Sequence, residues 1–231
     1  AAVSAPLRFQ PVARELIARV AAPLDREQRD ESAVPSYLHP NPLVRWMITR
    51  RLEVAAELAG EALAAAGPEP EGLDFGCGVG LLAPTLAPHL ARLHLTDLDT
   101  RPAAALVEAL GLAGCRIWPA EAWAEALPDG SLALVVAADV LEHVEPLEPV
   151  VARLAAKLAP GGSLILSGPT ESWVYGLARR IAGFSGHYHV RNVFHIERVV
   201  EAAGLRLVRR VALPFPGLPK LFRVSRYQRP A

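Results

Sequence analysis

Short apolar runs bounded by turn residues alternate along this chain with longer segments whose apolar positions fall three and four apart. The runs at 73–75, 93–96, 115–118, 131–138, 163–167, 205–213 and 220–227 read as strands, and 132–138 is apolar throughout, as a strand buried on both faces should be. Helical spacing covers 43–66, where Val44, Met47, Ile48, Leu52, Ala55 and Ala59 share a stripe, and it recurs at 81–90, 102–110, 171–181 and 196–203. Leu147, Val150, Val151, Leu154 and Leu158 mark one more amphipathic helix, ended by Pro160-Gly161-Gly162. Asn41 and Pro42 supply an N-cap and a first helical residue for the longest helix. Strand and helix repeated with short connections imply right-handed crossovers and a parallel sheet covered on both faces. The last two strands lack a helix between them and should pair antiparallel.

This order predicts an α/β, doubly wound, Rossmann-like sheet. Residues 1–41, punctuated by proline and rich in charge, are expected to form an N-terminal arm or cap with a helical piece at 11–20. Residues 42–231 are expected to form the ligand-binding domain, with 168–204 as an insertion on the substrate side. At 231 residues and 52% hydrophobic content the chain can bury a substantial core. Lys and Arg balance Asp and Glu at 24 each, so net charge makes no case for nucleic acid. Cys77 and Cys115 have neither metal nor disulfide spacing, and no secretory signal pattern is present, so a reducing cytoplasm is the expected compartment. The apolar run 132–138 is far shorter than the ~18 residues of a spanning helix.

Charge is uneven. From Ser172 onward the only acids are Glu197 and Glu201, among many arginines. A solvated surface, an anionic substrate and an acidic membrane surface are three readings of that basic quarter. Apolar residues alternating with arginines over 214–229 would suit peripheral membrane contact.

Chemistry concentrates at Leu73-Asp74-Phe75-Gly76-Cys77-Gly78-Val79-Gly80, a strand entering a glycine-rich turn. Glycine lets the backbone bend sharply and lie close to a ligand, and a following helix would aim free N–H groups at it. A nucleotide-like cofactor is the expected occupant. The dinucleotide fingerprint would need glycine at 81, where Leu81 stands. Asp97 closes the next strand about 20 residues on, at the place of a carboxylate that accepts from ribose hydroxyls. Ligands of such sheets sit outside the carboxyl ends of the strands, where Asp97, Ala120, Glu121, Asp139 and His143 all fall.

Residues 73–80 and 93–99, Leu127-Pro128-Asp129-Gly130-Ser131, Asp139-Val140-Leu141-Glu142-His143-Val144 and Leu158-Ala159-Pro160-Gly161-Gly162 stand in one order that resembles the class I S-adenosylmethionine-dependent methyltransferases. The resemblance implies a seven-stranded sheet, parallel except for one antiparallel C-terminal strand inserted near its edge. It implies S-adenosylmethionine as cofactor, with Gly76, Gly78 and Gly80 near its methionine part, Asp97 on the ribose and Leu98 against the adenine. Asp74, Cys77 and Asp139 join that set. Two departures stand out. Trp118-Pro119-Ala120-Glu121 replaces the family's usual Asp-Ala, leaving Ala120 and Glu121 as the adenine segment, and Leu132-Ala133 replaces its usual Phe-Asp.

Methyl transfer asks the protein to align nucleophile, methyl and sulfur, and to accept a proton where the nucleophile carries one. Histidine titrates in the right range. His143 reads either as a packing or capping residue or as that acceptor, and His187 and His189 either as part of a structural loop or as catalytic groups; no spacing enforces a metal site. Tyr37, Arg45 and Trp46 are candidates to close over the cofactor, and Trp123 and Trp173 are pocket walls or core. The sequence after the fourth strand is not that of nucleobase amino methylation, and neither cysteine sits where a pyrimidine-attacking nucleophile would. A small-molecule, sugar or lipid-type acceptor remains, anionic if the basic quarter serves it. The other readings are a catalytically silent cofactor-binding interaction module and, more remotely, a nicotinamide-dependent oxidoreductase. The pattern does not determine oligomeric state.

Overall fold

The computed structural model describes residues 7–170, 192–214 and 220–231. Seven strands, β1 (Glu71–Phe75), β2 (Arg92–Asp97), β3 (Cys115–Pro119), β4 (Leu132–Ala138), β5 (Leu158–Pro169), β6 (Arg206–Leu213) and β7 (Phe222–Gln228), form one sheet in the order β3-β2-β1-β4-β5-β7-β6. β7 runs antiparallel to both neighbours, and β1 to β5 pair in parallel. The expected doubly wound sheet with one antiparallel C-terminal strand is present.

Alternation along the strands sends side chains to two cores. Leu134, Val136, Ile165 and Val224 face a layer made by α1 (Arg14–Val20), α4 (Pro42–Leu63), α5 (Ala83–Leu86) and α6 (Arg101–Ala109). Val135, Ala137, Leu164, Leu166 and Tyr227 face α7 (Trp123–Ala126), α8 (Leu147–Lys157) and α9 (Val193–Ala202). Two further short helices, α2 (Arg26–Glu31) and α3 (Val34–Tyr37), complete the N-terminal segment, whose Ile17, Val20, Leu24 and Val34 are buried in the first core. α4 starts as its sequence predicts, with Asn41 Oδ1 accepting from the Leu43 N–H at 2.9 Å and Pro42 in the first turn. At about 1.5 Å per residue it spans roughly 33 Å and packs against β4, β5 and β7.

The helix expected over 81–90 is instead one α-turn followed by a 3-10 turn, Ala87–His89. Pro84 and Pro88 explain this: each lacks an amide donor, and each disfavours helical geometry in the residue before it. Near the sheet edge, Trp118 Nε1 donates to His94 Nδ1 at 2.9 Å, so the histidine's proton sits on Nε2, 3.0 Å from Glu71 Oε2. Burial holds His94 below its ordinary pKa, and the chain of bonds ties β1, β2 and β3 together.

Five arginines of the basic C-terminal quarter, Arg209, Arg210, Arg223, Arg226 and Arg229, meet internal partners. Buried Glu197 of α9 accepts from Arg210 at 2.8 Å, Arg223 at 2.8 Å and Ser225 at 2.7 Å. Arg226 donates to Ser163 Oγ, Arg209 pairs with Glu61, and Arg229 donates to the carbonyls of Ala156 and Leu158. Of the stretch 214–229 expected to suit a membrane surface, residues 222–228 form β7, a strand paired on both sides with Val224, Ser225 and Tyr227 fully buried, and 215–219 lie outside the described residues. No helix among the described residues is long and apolar enough to cross a membrane.

Glu197→Ala leaves two arginines around a vacated buried carboxylate and is expected to cost about 3–5 kcal/mol in urea unfolding. A loss below about 1 kcal/mol would show that Glu197 does not hold α9 to β6 and β7.

Candidate active site

Strand order reverses between β1 and β4, and a crevice opens outside their carboxyl ends, the usual ligand position in such sheets. A cavity of about 670 Å³ lies there, walled by the glycine turn, the ends of β2 and β4, and Gln28, Ser32, Ala33 and Tyr37 from the N-terminal segment. The amides of Gly76 and Cys77 both donate to Thr96 O, at 2.9 and 3.1 Å, which fastens the turn to β2. The Gly78 amide donates to Asp97 Oδ2 at 2.7 Å, while Asp97 Oδ1 accepts from Leu98 N at 2.7 Å. The Asp99 amide bonds the same carboxylate, and the acceptor capacity left over can still take a ribose hydroxyl. Leu98, 90% exposed, presents an apolar surface beside that carboxylate.

The glycines are needed for different reasons. Gly76 has φ +71°, and a Cβ there would lie 2.2 Å from Val140 Cγ2, so its bareness admits a neighbouring side chain rather than a ligand. Gly78 has φ +55°, and a Cβ there would meet only Ser32, 3.9 Å away across the cavity. This is the position where a bare backbone leaves room for a ligand. The helix after the turn is a single turn long, so amide donation to a ligand falls to the loop, not to a helix end as expected.

Asp74 is buried at the end of β1, and desolvation, then the nearby Asp97 charge, raise its pKa to about 7. Burial also raises Asp97, against the pull of its amide donors. Burial pushes the Cys77 thiol well up, so this cysteine stays protonated.

A feature that the apolar pattern of α4 hid lies on the same wall. Arg51 occupies the i+7, i+4 and i+3 positions from Val44, Met47 and Ile48, in the inward stripe, and is 5% exposed. Its Nη1 lies 2.6 Å from Asp139 Oδ2, its guanidinium stacks 4.4 Å over the Phe222 ring, and it bonds the Tyr37 side chain. Burial raises the Tyr37 phenol to about 12 against the opposing pull of Arg51. Asp139 holds φ +55°, a conformation that costs a non-glycine residue about 1–3 kcal/mol, with its N–H on Ser167 O at 3.2 Å. A charge inside an apolar helical stripe is the sequence signal that would have found Arg51.

The cavity therefore brings together Asp74, Gly76, Cys77, Gly78, Asp97, Leu98, Ala120, Asp139 and His143. Gly80 lies behind it, close to Ala103 and Leu106 of α6, and Glu121 is exposed and outside its lining. His143 stands exposed at the cavity wall. Trp123 is core, edge-on to Phe75 at 5.4 Å. His187, His189, Trp173, Arg179, Arg180 and Arg191 lie outside the described residues. No metal-binding cluster of His, Cys, Asp or Glu occurs among the described residues.

Residues 43–210 match the family described as methyltransferase domain. A ribosomal protein L11 methyltransferase of Ralstonia pickettii is 35% identical over 104 residues, 45% of this chain and 34% of that protein. An uncharacterized methyltransferase of Mycobacterium tuberculosis is 30% identical over 123 residues, 48% of this chain and 62% of that one. The chain thus spans about a third to three-fifths of these relatives' lengths. Among solved structures, the N-methyltransferase NodS from Bradyrhizobium japonicum, in complex with S-adenosyl-L-homocysteine, superposes with TM-score 0.63 at 22% identity, over 89% of this chain and 98% of that one. An O-methyltransferase family protein from Burkholderia thailandensis gives TM-score 0.64 at 20% identity, over 96% and 65%. At these identities the likeness is one of fold.

Asp74 yields a pH signature. Its folded pKa of about 7 exceeds its unfolded value, so its contribution to stability is full below about pH 4 and is lost as pH rises through about 7. A cationic ligand at the glycine turn favours the ionised form and must displace that proton. Titration calorimetry with S-adenosylmethionine near pH 6.5, in buffers of different ionisation enthalpy, should show more proton release for wild type than for Asp74→Asn. Equal release in the two proteins would remove Asp74 from the linkage.

Proposed function

Because the chain belongs to the methyltransferase-domain family, within the class I S-adenosylmethionine-dependent methyltransferases, we propose that it transfers the methyl group of S-adenosylmethionine to a small-molecule acceptor. One observation carries this reading: the Gly78 amide and the Asp97 carboxylate, joined at 2.7 Å across the ends of β1 and β2, open onto a cavity of nucleoside size beside the bare apolar face of Leu98. The residues present suit the donor. Asp97 takes the ribose hydroxyls, Leu98 and Ala120 flank the adenine, and Gly78 leaves the backbone open to the chain that follows. When bound, the donor supplies an electrophilic methyl group on a sulfonium.

What the protein adds is alignment, exclusion of water and removal of one proton. The N-terminal segment, through Gln28, Ser32, Ala33 and Tyr37, walls the cavity on the side away from the sheet. His143, just after β4, is the proton acceptor where the acceptor atom bears hydrogen. The acid-rich cavity wall favours a neutral or cationic acceptor over an anionic one.

Binding is tested by titration calorimetry with S-adenosyl-L-homocysteine. Wild type should bind, and Asp97→Ala should weaken binding by about 10- to 100-fold, the worth of hydrogen bonds to a charged group. Absence of wild-type binding would overturn the reading, and an unchanged affinity in Asp97→Ala would overturn the ribose assignment. With an acceptor found by screening for gain of one methyl group, His143→Gln should lower kcat by about 10²- to 10⁴-fold while donor affinity holds. Unchanged kcat would exclude His143 as the base.

A further inference from the structure

One chain of polar side chains crosses the sheet outside the cavity lining and ends beside it. Leu73 of β1 stands in register with His94 of β2, and Phe75 with Thr96, which in turn pairs with Trp118 of β3. Side chains two apart along a strand share a face, so Glu71, His94 and Trp118 lie on one side of the sheet. Glu71 opens β1 at the amino edge, while Trp118 stands one residue before the end of β3, at the edge that holds the cavity. His94, 2% exposed, meets both: Trp118 Nε1 donates to its Nδ1 at 2.9 Å, and its Nε2–H donates to Glu71 Oε2 at 3.0 Å. An indole nitrogen can only donate, so this arrangement requires the neutral ring. Proton uptake at Nδ1 turns that acceptor into a second donor, and two N–H groups then face each other. The imidazolium keeps Glu71 and must part from Trp118.

What Trp118 fastens is one side of the cavity. β3 is an edge strand, paired with β2 alone, so nothing holds it from its other flank in the sheet and a side-chain tie counts for more there. Its last residue, Pro119, stands in register with Asp97, and Ala120, the next along, lines the cavity. His94 itself is outside that lining. We propose that His94 is a proton-operated switch on donor binding: the neutral ring holds Trp118 and the segment that follows it in place, and the imidazolium releases them. His94 is thus a positioning residue that acts through Trp118. This proposal rests on the donor reading above.

The charged groups around His94 act on its midpoint with opposite signs. Burial comes first and holds its pKa below the ordinary value of about 6.5. The Glu71 carboxylate favours the imidazolium, whereas Arg92 on the same strand and Arg116 on β3 oppose it. α7, which packs on Phe75 of this face through Trp123, brings one ionisable group, the exposed Glu125. The donor binds best to the state in which Trp118 is held, so binding lowers the His94 pKa further. The His94 contribution to donor affinity is therefore full above about pH 6.5 and is lost as pH falls through the free protein's His94 pKa.

Two measurements on the full chain test this. In proton–nitrogen correlation spectra of the free protein, the assigned Trp118 indole N–H signal should move with the same midpoint as the His94 ring signals. Glu71→Gln should lower that common midpoint, and Arg116→Gln, at an exposed position, should raise it. Titration calorimetry with S-adenosyl-L-homocysteine at about pH 7.5 and about pH 5 then reads the effect on the cavity. On acidification wild type should lose about 2- to 10-fold more affinity than Trp118→Phe, the worth of one neutral hydrogen bond. Asp74 and Asp97 are present in both proteins, so the difference between them belongs to His94. Thermal melting identifies a Trp118→Phe that does not fold. Glu71→Gln and Arg116→Gln then replace it, and their acid-side loss of affinity should move to lower and to higher pH respectively. An indole signal that ignores the His94 titration overturns the switch. A loss of affinity equal in wild type and folded Trp118→Phe, or unmoved in Glu71→Gln and Arg116→Gln, overturns it too. A wild type that binds no S-adenosyl-L-homocysteine at the higher pH, while the indole still follows His94, overturns the donor reading and with it the link from His94 to the cavity.

Discussion

A buried guanidinium can persist only where every face of it is matched, and Arg51 meets that condition by drawing four parts of the chain to one point. α4 carries it, Phe222 of β7 offers a ring, Tyr37 of α3 offers a hydroxyl, and Asp139 after β4 neutralises its charge. Removing a charge from water costs several kcal/mol, and only a well-formed pair offsets that cost. The contacts that satisfy Arg51 therefore also fix where the N-terminal helices meet the sheet and how the end of β4 is bent. The donor cavity is the space left between those fixed parts.

The same logic governs the C-terminal arginines. Their density suggests an outward-facing basic surface when the chain is read linearly, yet Arg209, Arg210, Arg223 and Arg226 find carboxylates or hydroxyls from Glu61, Glu197 and Ser163. Pairing acids from α4 and α9 with bases from β6 and β7 spreads neutrality across the fold, although the sequence segregates the charges. Glu197 is the clearest case, since one carboxylate gathers three donors from two strands at the edge of the sheet. A charge run in sequence is no guide to surface potential when the strands that carry it pair with a helix of opposite sign.

Much of the scaffold was legible beforehand. All seven strands lie where period and turn residues put them, and Asn41 and Pro42 start α4 for the reasons their chemistry suggests. The glycine turn, Asp97 and Leu98 were readable as a site because their spacing is local, set by one strand, one turn and the next strand end. The helix after the turn was overestimated, because two prolines weighed less in the reading than an apolar run did. Gly76 was read as making room for a ligand, whereas the nearest atoms to its missing Cβ belong to Val140, 64 positions further along.

What the sequence determined by itself was the order of elements and the donor half of the cavity, since each follows from periodicity and short-range geometry. Tertiary structure alone decided which charges meet. Arg51 and Asp139 are separated by four strands' worth of chain, and nothing local marks them as partners; β4 must be laid beside β1 and under α4 before they touch. Coulomb energy depends on distance in space and on the medium between the charges, and neither quantity exists until the core has formed.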